Sequence, residues 1–191
     1  MVYTSRMEKK YIMNPEEIIR KHYEGEDANL LELLLLHSRQ VAEKALEVVD
    51  RHPELGADRS FVYEAAMLHD IGIMHTNAPG IGCHGEHPYI CHGLLGAEML
   101  RAEGWMRHAR VAERHTGTGL TRETIEAQGL PLPMEDFSPQ SIEEQIVCYA
   151  DKFFSKSHPE RVKTSTQVRE MLQRFPDGNI HRWDKWVELF S

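Results

Sequence analysis

The stretch Leu68-His69-Asp70-Ile71-Gly72 decides how the rest of this sequence is interpreted. It closes a predicted helix over Ser60 to Ile73, in which His69 continues an apolar stripe formed by Val62, Ala65 and Ala66. Asp70 follows His69 directly. Burying one unpaired carboxylate costs several kcal/mol or forces it to take up a proton. The stretch therefore raises the question of which other groups meet this histidine and this aspartate.

Four other predicted helices also turn an ionisable side chain toward the core, at His37, His92, His115 and Asp151. Each lies in line with apolar residues three or four positions away on its own helix, as Val41 does for His37. Any one of these histidines alone would more often be an ordinary core or surface residue. The coincidence across five helices favours a shared cation. Four imidazoles and two carboxylates suit Fe, Mn, Zn, Co or Ni better than Ca or Mg.

The remaining sequence predicts helices almost throughout and no sheet. Asn14-Pro15-Glu16-Glu17 is typical of a helix start, and Ser141 with Glu144 forms a predicted capping box whose helix runs to about Ser155. Further helices are expected over Ala28 to Arg51, His92 to Ala102, Met106 to His115, a short segment between Thr121 and Gly129, and one or two segments ending with Trp183 to Phe190. The sequence thus predicts an all-α fold.

Composition and charge exclude several classes of protein. The chain has 191 residues, 41% of them hydrophobic and 27% charged, which is typical of one globular domain. Its net charge of −8 argues against stable nucleic-acid binding. The longest apolar stretch, Leu30 to Leu36, is far too short to span a membrane, and Met1 to Arg20 contains no secretory signal. Three cysteines are too few for a disulfide scaffold and favour a reducing cytoplasm.

The segment Met74 to Cys91 interrupts the helical pattern with two prolines and three glycines and is predicted to be a loop. Its length favours a lid over the metal site that presents His75, His84 or His87 to the substrate. The alternative is a separate zinc site made by Cys83, His84, His87 and Cys91, although no CxxC pair supports it. Five further histidines lie in polar or terminal stretches and are expected to be solvated: His22, His52, His108, His158 and His181.

Three segments resemble the HD superfamily of metal-dependent phosphohydrolases. Leu68 to Gly72 is similar to that family's HDIG core motif, His37 to Ala42 to its first ligand helix, and Tyr149 to Lys152 to its last ligand segment. The resemblance covers about residues 30 to 156. It implies a single HD-domain helical bundle over residues 1 to 191, with helical extensions at both ends.

Two more segments are similar to the two-metal branch of that superfamily, namely His92-Gly93 with Gly96-Ala97-Glu98, and Glu113 to Gly117. By this resemblance Asp70 bridges two divalent transition-metal ions. His37, His69 and Asp151 complete one site, and His92 and His115 hold the second ion. Relatives that cleave cyclic dinucleotides carry a lysine just after HDIG, where this chain has Ile73 and Met74, and the GYP signature is absent. Cleavage of cyclic-di-GMP is therefore not expected.

The chemistry implied is hydrolysis of a phosphate ester or anhydride in a small nucleotide-like substrate. A bound metal lowers the pKa of a water toward ~7, and Asp70 is the expected catalytic residue that orients this water and takes part in proton transfer. An anionic substrate needs local cations in an acidic protein, and Lys152 and Arg114 are the candidates. Thr116 and His75 complete the predicted substrate-binding set.

Two other functions use the same residues. Some HD-fold enzymes are di-iron oxygenases with a similar arrangement of six ligands, and a non-catalytic nucleotide sensor would keep the ligands for binding. Cations beside the site favour the phosphohydrolase, whether phosphomonoesterase, phosphodiesterase or pyrophosphohydrolase.

Overall fold

The computed structural model describes residues 14–175 and 180–191. Within these ranges nine α-helices confirm the predicted all-α architecture. They are α1 (Pro15–His22), α2 (Ala28–Arg51), α3 (Arg59–Leu68), α4 (His92–Ala102), α5 (Met106–Arg114), α6 (Arg122–Gln128), α7 (Ile142–Asp151), α8 (Ser165–Leu172) and α9 (Ile180–Phe190). Most of the segment expected to lack a secretory signal falls outside the described residues.

The long helix α2 organises the core. Asp27 caps its first turn by accepting a hydrogen bond from the Asn29 backbone, and its inner face packs against α3 and α7. Helices α4 and α5 pack closely on each other, and α9 closes the far side, where Trp183 stacks on Tyr149. Each fully buried apolar side chain of this core stabilises the fold by about 1.5–3 kcal/mol relative to leaving it exposed. The packing brings four helix ends to one point.

Helix α3 ends earlier than the sequence indicated. It stops at Leu68, and a 3₁₀ helix over Ile71–His75 follows. In this 3₁₀ segment Gly72 lies directly against α4, where a Cβ would overlap the backbone of His92 and Gly96. His69 and Asp70 therefore lie at the turn between the two helical segments, with Asp70 at φ −106° and ψ 9°. Helix α7 likewise stops at Asp151 and not near Ser155.

The loop after α3 contains a small sheet that the sequence did not predict. Its strands are β1 (Thr76–Ala78), β2 (Cys83–His84) and β3 (His87–Pro88), in the order β2-β1-β3. β1 pairs antiparallel with β2, with Asn77 opposite His84, and parallel with β3, with Thr76 opposite His87. Strands of two or three residues are too short to show the alternation of apolar and polar residues on which sequence-based recognition depends.

Two local expectations need correction. Ser141 accepts a hydrogen bond from the Glu144 backbone at 3.2 Å, but the Glu144 carboxylate accepts from the Gln140 backbone, so the capping box is incomplete. His108 was expected to be solvated and is buried, because its face of α5 packs on α3. Its ring contacts Phe61 edge-on, with centroids 4.9 Å apart, and its Nε2 lies 3.2 Å from a Glu64 carboxylate oxygen.

The other four histidines expected to be solvated divide into two pairs. His158 and His181 are exposed, whereas His22 and His52 are half-buried and lie beside Glu103 and Glu54. The three cysteines are free thiols, all buried. Among the described residues, no helix has the length and apolar character needed to cross a lipid bilayer.

Candidate metal centre

Three histidines each make the same kind of hydrogen bond to the backbone. The Nδ1 atoms of His69, His92 and His115 lie 2.6, 2.7 and 2.6 Å from the carbonyl oxygens of the residues three positions earlier, Ala66, Tyr89 and Ala112. A carbonyl oxygen can only accept, so each Nδ1 carries the hydrogen. In its neutral form each ring then directs the lone pair of Nε2 into the protein. This is the arrangement found in histidines that bind metals.

The first group of candidate ligands consists of His37, His69, Asp70 and Asp151, whose ligand atoms lie within 4.8 Å of one another. The His37 Nε2 atom is 3.1 Å from Oδ2 of Asp70 and 3.1 Å from Oδ1 of Asp151. The His69 Nε2 atom is 3.0 Å from the same oxygen of Asp70. Helix α2, the end of α3 and the last residue of α7 thus meet at this point.

The second group consists of Asp70, His92 and His115. Oδ1 of Asp70 is 3.3 Å from the Nε2 atom of each histidine, and the two Nε2 atoms are 2.9 Å apart. The two oxygens of Asp70 therefore face different groups, Oδ2 the first and Oδ1 the second. A carboxylate with this disposition can bridge two cations.

Burial and charge fix the protonation of these groups. Burial alone would raise the pKa of Asp70, but the charges of His69 and Lys156 hold it well below its usual range. Burial lowers the pKa of His115 to about 3, so this imidazole is neutral. Burial would also lower the pKa of His69, but the charge of Asp70 outweighs it and raises the pKa to about 9. In the metal-free protein a proton on His69 thus helps to balance the two carboxylates.

Orphaned polar atoms at the centre test whether a metal fits. The Nε2 atom of His69 and Oδ1 of Asp70 are buried and lack an aligned hydrogen-bond partner among the described residues, whereas Oδ2 of Asp70 has the Lys156 ammonium 2.5 Å away. A buried polar atom without a partner costs about 1–3 kcal/mol, and more when it is charged. Imidazole nitrogens and carboxylate oxygens that converge on one point are the donor set of Fe, Mn, Zn, Co and Ni sites. The buried groups could therefore hold metal ions.

A family model described as "HD domain" matches residues 34–155, the stretch that contains every one of these candidate ligands. This chain belongs to the HD domain family. The HD domain of the L. monocytogenes phosphodiesterase PgpH has the same fold, with a TM-score of 0.52, 20% sequence identity and coverage of 86% of this chain and 87% of that one. Its complex with cyclic-di-AMP aligns with a TM-score of 0.53, 20% identity and 89% of each chain.

Three curated proteins are similar in sequence to this HD domain. An uncharacterised protein of Methanocaldococcus jannaschii is 40% identical over 85% of this chain and 86% of its own length. A tRNA (cytidine(56)-2'-O)-methyltransferase of Picrophilus torridus is 34% identical over 80% of this chain, and one of Thermoplasma volcanium is 36% identical over 64%. The chain spans only 39% and 32% of the length of these two methyltransferases.

A cavity of about 440 Å³ adjoins the metal centre of the HD domain, with His37 and Asp151 in its wall. Of the residues predicted to bind substrate, Lys152 lines it. The Lys152 ammonium is buried and donates to Oδ2 of Asp151 at 2.6 Å and to the His115 carbonyl at 3.1 Å. Burial would lower the pKa of Lys152, but the charge of Asp151 raises it.

The other predicted substrate residues lie away from this cavity. Arg114 donates to the Glu144 carboxylate at 3.2 Å, and Thr116 lines a separate, more apolar cavity of about 360 Å³. His75 is exposed, as are His84 and His87. The segment after α3 does cover part of the cavity, but through other residues: Ala78, Gly80, Ile81 and Tyr89.

The alternative of a separate zinc site finds no support in the described part of the chain. The groups of His, Cys, Asp or Glu that could hold a metal there are the two around Asp70, and neither includes a cysteine. Cys91 lies within 3.5 Å of the Pro131 carbonyl, and Cys83 is buried in the hydrophobic core.

Sequence reasoning missed two lysines, Lys156 and Lys163. Both line the cavity, and the Lys156 ammonium lies 2.5 Å from Oδ2 of Asp70. Both lie beyond the helix that was predicted to run to about Ser155, in a stretch without helical periodicity. The available signal was the recurrence of lysine at positions 152, 156 and 163, soon after the candidate ligand Asp151.

Proposed function

We propose that this HD-domain protein is a metal-dependent phosphohydrolase that cleaves a phosphate ester or anhydride of a small nucleotide-like substrate. The proposal rests on the position of the candidate metal ligands beside a cavity that contains lysines. The candidate ligands around Asp70 adjoin a cavity whose lining includes Lys152, Lys156 and Lys163. Its volume of about 440 Å³ is in the range of small-molecule sites.

The ligand assignment follows from the two groups. His37, His69, Asp70 and Asp151 would hold one ion, and Asp70, His92 and His115 a second. Divalent metals in such sites polarise phosphoryl oxygens and activate a water for attack at phosphorus. The backbone bonds at Nδ1 of three histidines fix the direction of their lone pairs. Asp70, which faces both groups, is the residue placed to orient the attacking water.

The lysines supply the second requirement of phosphoryl transfer, which is compensation of negative charge. Lys152 is fixed by Asp151 and by the His115 carbonyl at the border between the metal centre and the cavity. In this position its ammonium would contact a phosphate oxygen of a substrate bound at the metals. Charge stabilisation of this kind is worth more in a cavity of low dielectric than in water. The PgpH phosphodiesterase domain, which shares the fold, is consistent with this class of reaction.

The names of the methyltransferase relatives do not lead us to propose methyl transfer. Each name describes a whole protein of which this chain spans 39% or 32%. The six candidate ligands would also suit a di-iron oxygenase or a nucleotide sensor. The hydrolysis of a phosphate requires compensation of negative charge, which ammonium groups beside the candidate metal centre can supply. Oxygenation and nucleotide sensing require these groups less directly.

The test begins with elemental analysis of the purified protein. Samples loaded separately with Mn, Fe, Co, Ni or Zn are then assayed against phosphomonoesters, phosphodiesters and phosphoanhydrides, with phosphate release and O₂ uptake followed together. We expect hydrolysis of at least one substrate, and its loss in Asp70→Ala. Uptake of O₂ by the iron form without hydrolysis would identify an oxygenase. Tight nucleotide binding with no turnover in any metal form would identify a sensor.

A further inference from the structure

The residues that follow α7 form a lysine-rich loop, 152–163, against one wall of the cavity. The backbone amide of Lys163 donates to the Phe153 carbonyl at 2.8 Å and closes the loop. The Gln40 side chain of α2 donates to the Pro159 carbonyl at 2.9 Å and ties the loop to the core. The loop therefore holds the backbones of its three lysines in fixed positions beside the metal centre.

Lys156 contacts the oxygen that a metal in the first group would need. Its ammonium lies 2.5 Å from Oδ2 of Asp70, the same oxygen that is 3.1 Å from the His37 Nε2 and 3.0 Å from the His69 Nε2. The Lys156 side chain is only 11% exposed. An ammonium and a metal ion at one carboxylate oxygen repel each other, so a metal bound at Oδ2 of Asp70 would weaken its contact with Lys156.

Displaced from Asp70, Lys156 still lines the cavity, where Lys163 is already present. Lys163 has no carboxylate within 4.0 Å among the residues the structure describes, and its ammonium donates only to the carbonyls of Phe154 at 2.8 Å and Lys152 at 3.3 Å. Burial lowers its pKa and the charges of Lys152 and Lys156 act in the same direction, whereas the charge of Asp151 raises it. Because Asp151 is already paired with Lys152 at 2.6 Å, two further ammonium groups in the same cavity favour binding of an anion.

We propose that metal binding releases Lys156 from Asp70, and that Lys156 and Lys163 then bind a second phosphate group of the substrate, separate from the phosphate at the metals. The inference rests on the proposed function for the identity of the anion. It makes the anion subsite dependent on the metal, so that metal and anion bind cooperatively. Thermodynamic linkage requires this coupling to be the same in both directions.

Lys156 should then affect the two ligands in opposite directions. It competes with the metal for Asp70, so K156Q should bind the metal several-fold more tightly than the wild type. It also contributes a charged hydrogen bond to the anion, so K156Q should bind the anion about tenfold more weakly. A lysine that merely paired with Asp70 to stabilise the fold would not produce the second effect.

The experiment measures binding and needs no turnover. Pyrophosphate and inorganic phosphate are titrated calorimetrically into metal-free protein and into Mn²⁺-loaded protein cleared of excess metal, for the wild type, K156Q, K163Q and the control K185Q. Lys185 is exposed and lies outside the cavity. Metal content measured after each titration shows whether the anion has removed the metal.

We expect pyrophosphate to bind the metal-loaded wild type at least about tenfold more tightly than the metal-free protein. K163Q should lose about tenfold in this affinity, and K185Q nothing.

Two results would overturn the inference: a pyrophosphate affinity of K163Q equal to that of K185Q, or a K156Q variant whose metal affinity is unchanged or lower. Circular dichroism confirms that the variants fold. If K156Q does not fold, the comparison of K163Q with K185Q decides the matter. Should the binding results hold while no ester or anhydride is hydrolysed, the subsite is supported and only the proposed hydrolase activity fails.

Discussion

The Nε2 atoms of His92 and His115 face each other at 2.9 Å, although each ring has already donated its Nδ1 hydrogen to a backbone carbonyl. When both rings are in the neutral form with the hydrogen on Nδ1, they direct lone pairs at each other and at Oδ1 of Asp70, 3.3 Å from both. Three acceptors in this arrangement repel. A cation between them would be coordinated by all three groups, and the repulsion would be removed. Variants of these two histidines therefore test most directly whether a second metal binds.

We expect the wild type to bind two transition-metal ions per chain and the double variant His92→Ala, His115→Ala to bind one. The first group retains all four of its candidate ligands in this variant, so one ion should remain. Hydrolysis should fall by at least about a hundredfold, because charge stabilisation on one side of the phosphate is lost. Elemental analysis and phosphate release measure the two effects. Saturation of the wild type by a single ion would contradict the two-metal assignment.

Asp70→Ala should abolish metal retention and hydrolysis together and leave the helices folded. Asp70 is the one residue common to both groups, so its loss removes a ligand from each. The helical circular dichroism should remain, because the side chain contributes to no helix cap. Glu64→Ala is a useful control, since this carboxylate contacts only His108 on the opposite side of α3. A metal content in Asp70→Ala equal to that of the control would exclude the bridging role.

Gly93→Ala should weaken the second metal site through packing. A Cβ at this position would lie 2.5 Å from the Ala112 carbonyl oxygen, the atom that accepts the Nδ1 hydrogen of His115. Relief of this overlap must push α4 and α5 apart and turn the His115 ring, at a cost of about 1–3 kcal/mol in the free energy of unfolding. Urea denaturation and metal titration measure both consequences. Gly80→Ala, where a Cβ meets nothing within 4 Å, should change neither.

His108 should make the stability of the fold depend on pH. Burial between Phe61 and Trp105 lowers its pKa below the ordinary value of 6.5, against the opposing effect of Glu64 and with that of Arg107. A histidine whose pKa is lower in the folded state binds more protons when unfolded. Its contribution to stability is therefore complete above pH 6.5 and declines as the pH falls below that value.

The free energy of unfolding, measured by urea denaturation at several pH values between 8 and 5, should thus decrease less steeply in His108→Gln than in the wild type. His158→Gln, at an exposed position, serves as the control and should follow the wild type. An identical slope for His108→Gln and the wild type would show that His108 gains no protons on unfolding.

Helical periodicity was sufficient to predict which His and Asp side chains converge in the core. His37, His92, His115 and Asp151 lie on inward faces because their apolar neighbours recur every three or four residues, and the structure brings them together around Asp70. Periodicity describes the interior of a helix, however, and not the point where it ends. The early end of α7 brings Lys156 and Lys163 to the cavity, and only the packed structure reveals that position.

Arg114 shows a second limit of reasoning from the sequence. Its place beside His115 in the sequence suggested a contact with substrate, but successive residues of a helix point in different directions. The Arg114 side chain turns to Glu144 on α7, whose carboxylate also accepts from the Gln140 backbone. The same contact explains the incomplete capping box, because a carboxylate occupied by these two donors does not reach the Ser141 amide. The contact between Arg114 and Glu144 cannot be predicted from the sequence, because it depends on how α5 packs against α7.

The bond between His37 and Asp151 joins residues 114 positions apart in the chain. Closing a loop of that length costs conformational entropy that contacts formed elsewhere must offset. The candidate metal site therefore requires both segments, and it does not exist in a partly synthesised chain that ends before Asp151. A metal ion that binds there would stabilise the assembled bundle, since it would join segments that only the complete fold brings together.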